Sequence, residues 1–93
     1  MIVGVLTVEL AVLEAQTLKD KRRVIHSVKQ RIRNSFNVSV AEVEHCGSPK
    51  RCQLGISMVS KESRPLHSQL DRIVDLLRRV HGLTLVSYER ELL

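Results

Sequence analysis

Aromatic residues are almost missing from this 93-residue chain, which has one Phe, one Tyr and no Trp. The core must therefore be assembled from Val, Leu and Ile. The stacking platforms that read single-stranded RNA have almost nothing to be built from. Cysteine is scarce as well. Five residues separate Cys46 from Cys52, there is no CxxC, and no second pair completes four ligands. This spacing argues against a zinc site and against a dithiol redox centre. In a reducing compartment the simplest state of both is the thiol, with a facultative cross-strand disulfide left open. No apolar run reaches the roughly 20 residues of a membrane span. The stretch from Ile2 to Leu13 is apolar but carries Glu9. It has neither a charged leader nor a small-residue cleavage site, so a cytoplasmic protein with no membrane partner is expected. Linkers, repeats and low-complexity segments are also missing, and residues 1–93 read as one domain with a modest core.

Acids are what the middle of the first half lacks. Residues 17–35 hold seven cations and a single acid, Asp20, while the rest of the chain holds eight cations and nine acids. The formal net charge of +5 therefore comes from one element, and a local concentration of this kind is what a polyanion would feel.

Hydrophobic periodicity gives the elements. "MIVGVLTVELAV" alternates with period two and is rich in β-branched residues, which predicts a strand. "TLKDKRRVIHSVKQRIRNSF" predicts a helix. Thr17 and Asp20 have capping-box spacing, Leu18, Ile25, Val28 and Ile32 form an apolar stripe, and Asn34 suits a left-handed stop. "FNVSVAEVEH" and "CQLGISMVS" predict two strands joined by the turn "CGSPKR" as a hairpin, with a bulge where Ala41 and Val43 take over. Ser63 is expected to cap a second helix, with Pro65 in its first turn, a stripe of Leu66, Leu70, Ile73, Leu77 and Val80, and Gly82 as its stop. "LTLVSYE" predicts a last strand, with Tyr88 on the same side as Thr84 and Val86. The order βαββαβ predicts an α+β, ferredoxin-like domain: one four-stranded antiparallel sheet with both helices on one face.

Three stretches, "MIVGVLTVEL", "LKDKRRVIHSVKQRIRNSFNVSVAEV" and "LGISMVS", resemble the YlxP-like family of small bacterial proteins of no established function. The likeness is clearest over residues 1–60, and the second helix matches mainly by pattern. The turn "HCGSPKRC" departs from the family. The resemblance implies the ferredoxin-like fold. Its members' genes often neighbour those of translation factors and ribosome maturation, which implies a translation-related role.

On a helical wheel Lys19, Arg22, Arg23, Lys29 and Arg33 fall on one flank of the first helix, within about 120° of one another. His26 lies among them, Arg31 falls on the other flank and Lys21 near the core stripe. Five cations along some five turns of about 5.4 Å suit successive phosphates of a structured RNA or ribosomal particle. They equally suit an ordinary solvated face, since Lys and Arg are good helix formers. The sequence yields no competent enzyme. Asp71 and Asp75 are expected to face water, with Arg78 and Arg79 at pairing distance. His26, His45, His67 and His81 are scattered over different elements. The loop "LEAQT" after the first strand lacks the glycine and arginine of an acylphosphatase-like phosphate cradle. No cofactor or metal is implied. The sheet face without helices, carrying Val3, Val5, Thr7, Gly55, Val59, Val86 and Val43, is the alternative functional surface, as the contact of a small homodimeric interaction module.

Overall fold

The computed structural model describes residues 1–44 and 48–93. Its elements are β1 (Ile2–Ala11), α1 (Leu18–Ser35), β2 (Ser39–Glu44), β3 (Arg51–Ser60), α2 (Ser63–Arg79) and β4 (Thr84–Leu92). All strand pairings are antiparallel and the sheet order is β2-β3-β1-β4. This is the ferredoxin-like α+β architecture.

Period two sorts the strands. Leu6, Val8 and Leu10 of β1 and Cys52, Leu54 and Ile56 of β3 point to the helices and are buried. Their neighbours Val5, Thr7 and Glu9 point to the other, open face and are half-buried. Ile25, Val28 and Ile32 of α1 and Leu66, Leu70, Ile73 and Leu77 of α2 close the core. Each such aliphatic side chain contributes about 1.5–3 kcal/mol on burial, enough for a domain of this size without aromatic anchors. Gly4 is where α2 comes nearest to β1: a Cβ there would lie 2.4 Å from Cδ2 of Leu66.

Several local details differ from the sequence expectation. Thr17 caps α1 by accepting from the Asp20 N–H at 3.1 Å, but the Asp20 carboxylate reaches back to Gln16 N at 3.2 Å, one residue before the cap. Asn34 adopts no left-handed conformation; α1 runs through Ser35 and Phe36 ends it in extended geometry. Glu62, not Ser63, is the N-cap of α2, and it makes no side-chain cap bond. Instead the Ser60 hydroxyl accepts from the Glu62 N–H. Beyond α2, Leu83 N–H closes a turn on Val80 O with Gly82 at φ 80°, the left-handed third position that favours glycine.

β4 differs most. It continues through Leu92, and Leu93 still exchanges two backbone hydrogen bonds with Val3. Glu9 pairs with Ser87 but Leu10 pairs with Leu85, so Val86 is an extra residue, a bulge. A bulge reverses the alternation beyond it. Tyr88 therefore pairs with Val8 on the helix side, where Arg78 of α2 lies over its ring at 5.8 Å. In β2 the bulge falls at Val43, as the sequence suggested.

Candidate nucleic-acid interface

Helix α1 packs its apolar stripe on the sheet and turns the remaining surface outward. Lys19, Arg22, Arg23 and Arg33 are exposed and Lys29 is half-buried. These are the five cations expected along one flank. Among the described residues Lys19, Arg22, Arg23 and Lys29 enter no hydrogen bond and no ion pair. Arg33 differs, because its guanidinium donates to Val40 O at 2.9 Å and so ties the last turn of α1 to β2. The single acid of the helix, Asp20, is engaged in the cap. The elements thus supply a positive edge of which Lys19, Arg22, Arg23 and Lys29 form no ion pair among the described residues, while Glu42 of β2, opposite the inward Leu54, lies on the same helix side of the sheet.

Lys21 leaves this set. It is 1% exposed, and its ammonium donates to Ser48 O at 3.1 Å and Arg51 O at 2.8 Å. Leu18, expected in the core, is 37% exposed. The physical reason is local: the first turn of α1 sits beside Ser48 and the start of β3, whose carbonyls take donors. A long stem carrying three N–H groups satisfies them while packing against apolar neighbours.

The acids lie elsewhere. Glu9, Glu44, Glu89 and Glu91 share the open sheet face, as their registers with Gln53, Thr7 and Val5 require. There Arg51 pairs with Glu9 at 3.2 Å. On α2, Asp75 pairs with Arg78 at 4.0 Å, as its spacing implies. Asp71 instead binds Arg90 of β4 at 2.5 Å, and Arg90 also contacts Nδ1 of His67 at 3.1 Å. The beginning of β4's tail is thereby clamped to α2, a contact invisible in the sequence because it depends on the bulge at Val86. The helix layer is left cationic, and the open face carries apolar Val3, Val5 and Val59 together with Glu44 on β2, Glu9 on β1 and Glu89 and Glu91 on β4.

Among the described residues the expected pairing of Arg79 with an acid is not found. Arg79 lines a groove between the helices with Arg31, Arg72, Asp75 and the half-buried Phe36 and Leu76. From the sequence Arg31 falls on the opposite flank of α1, with no link to α2. The signal was available: Arg72, Leu76 and Arg79 recur at spacings of four and three, one ridge of α2.

Cys52 points inward and is fully buried, as its strand phase predicts, and its thiol lies 3.0 Å from Oε2 of Glu42. His45 and Cys46 lie outside the described residues, so the proposed thiol pair falls there in part. Among the described residues no three His, Cys, Asp or Glu side chains gather as a metal site. No helix is long and apolar enough to cross a membrane.

The family model described as "Protein of unknown function (DUF503)" matches residues 3–90. The chain is 31% identical over 72 residues to the "Uncharacterized protein YlxP" of Bacillus subtilis (strain 168), covering 77% of this chain and 78% of that protein. Among solved structures it is similar to the de novo designed protein Foldit4. The TM-score is 0.53 at 17% identity, over 100% of this chain and 94% of the design. At that identity the likeness shows the fold alone.

Proposed function

Because the chain belongs to the DUF503 family of proteins of unknown function, we propose from its own surface that it is a non-enzymatic accessory protein. It holds the phosphate backbone of structured RNA, free or within a ribosomal particle, through Lys19, Arg22, Arg23, Lys29 and Arg33. One observation carries this: four of those cations stand on the surface without a carboxylate partner among the described residues. Glu44, Glu89 and Glu91 on the open face favour one orientation, helix layer toward RNA. The open sheet face suits RNA poorly. It carries Glu9, Glu89 and Glu91, and Tyr88 is turned away from it. Recognition is then of shape and backbone rather than base sequence.

The test is co-sedimentation with ribosomal subunits at low and high salt, using the wild type and an R22E/R23E/K29E/R33E variant. Retention of the wild type at low salt, release at high salt and loss in the variant support the assignment. Equal retention of the variant would reject it.

A second reading is favoured by Val43 and Val59, 56% and 61% exposed on or beside the open face. Under it the chain is a homodimeric interaction module and the cations only solubilise it.

A further inference from the structure

We propose that the groove between α1 and α2 binds a phosphate monoester, its phosphate held by Arg31, Arg72 and Arg79 and its organic part lying against Phe36 and Leu76. The groove measures about 420 Å³, within the roughly 300–1,000 Å³ of small-molecule sites. It does not rest on the RNA assignment, since Arg31 leaves α1 on the flank opposite Arg22, Arg23 and Lys29.

Three features of the groove point to this ligand class. Three arginines from two helices line the groove, and among the described residues none of them has a hydrogen bond or ion pair. Guanidinium presents a planar fork that matches phosphate oxygens two at a time, so a compact dianion satisfies several forks together. A bare anion would leave the other wall idle. That wall is Phe36 and Leu76, both partly buried against the core and therefore fixed in place. An apolar or planar group attached to the phosphate would cover them and remove their remaining surface from water. Asp75 is the third feature and sets a further condition. Its carboxylate lines the same groove, with its ion-pair partner Arg78 at 4.0 Å. It disfavours a second phosphate nearby and accepts a hydrogen bond from a hydroxyl or amine of the ligand. One terminal phosphate, an apolar or planar body and a hydroxyl or amine together describe a nucleoside monophosphate or a similar ester.

Calorimetric titration at fixed ionic strength with adenosine monophosphate, ribose 5-phosphate and inorganic phosphate tests this. Adenosine monophosphate is expected to bind about tenfold more tightly than inorganic phosphate, and R72Q/R79Q to lose about tenfold or more of that affinity. The R22E/R23E variant is expected to bind it as the wild type does. Ribose 5-phosphate binding as tightly as the nucleotide would mean that no planar body lies against Phe36 and Leu76 and would overturn the proposal. Equal affinity for inorganic phosphate, no binding at millimolar concentration, or equal loss in both variants would overturn the proposal. Equal loss would mean diffuse charge rather than a site. R31Q, on the other helix, provides the same readout should the α2 double variant fail to fold.

Discussion

Lys21 Nζ donates to the carbonyl of Arg51 at 2.8 Å, across 30 residues of sequence, and so fastens the first turn of α1 to the start of β3. The most basic stretch of the chain therefore contains one cation that no external ligand can reach. Lys21→Met keeps the apolar stem and removes the donors, taking one partner each from the part-buried carbonyls of Ser48 and Arg51. The expected loss is about 1–3 kcal/mol of stability, read as a fall in Tm of roughly 4–8 °C per kcal/mol for a domain of this size. The salt dependence of RNA retention should stay as in the wild type. A changed salt slope would mean that Lys21 is reached by phosphate after all.

Gly4 and Gly55 make a paired test of packing. A Cβ on Gly4 would lie 2.4 Å from Cδ2 of Leu66, which is fully buried and enclosed by core. A Cβ on Gly55 would lie 2.8 Å from Cγ1 of Val43, which is exposed and at a bulge. Overpacking costs about 1–3 kcal/mol where neighbours cannot move. Chemical denaturation should therefore show Gly4→Ala clearly destabilised and Gly55→Ala only slightly. The reverse order would mean that α2 yields more easily than the β2 edge.

Most of the architecture was legible in the sequence, because alternation and helical stripes are first-order consequences of burying one face. β1, with Leu6, Val8 and Leu10 inward, follows from period two alone. What was hidden depends on contacts far apart in the chain. The bulge at Val86 is set by pairing with Glu9 and Leu10, and it alone decides that Tyr88 meets Arg78 rather than the open face. Lys21 lay near the apolar stripe on the wheel, yet nothing local says that carbonyls of Ser48 and Arg51 wait above it. For the candidate interface, the flank of Lys19, Arg22, Arg23 and Lys29 was readable from spacing. Arg33's bond to Val40 O was not, since it requires β2 to lie beside α1.

The RNA assignment makes a quantitative demand on individual cations. Log affinity against log salt should fall by about 0.7–0.9 per phosphate contacted. Arg22→Gln should reduce the magnitude of that slope by about one unit and weaken binding evenly across RNA sequences. Arg33→Gln should do less to the slope and more to stability, because its guanidinium already serves Val40 O at 2.9 Å. Filter binding over a salt series, with thermal melts of the same variants, separates the two effects. Identical slopes for all variants would take these side chains out of the interface.

Dimerisation through the open sheet face would answer salt with the opposite sign, and this separates the two functional readings. Association through it would join Val5, Val43 and Val59, but it would also bring together Glu89 and Glu91 from each copy, Glu9 being paired with Arg51. Added salt screens carboxylates that are not neutralised and leaves apolar contact intact. If the chain dimerises through this face, light scattering at micromolar concentration should show the dimer fraction rise with salt, while RNA retention falls. Val59→Lys, which places a charge at an exposed apolar position, should return the protein to a monomer without altering the RNA salt slope. A wild-type chain that stays monomeric at every concentration and salt would remove the dimer module and leave the helix layer as the functional surface.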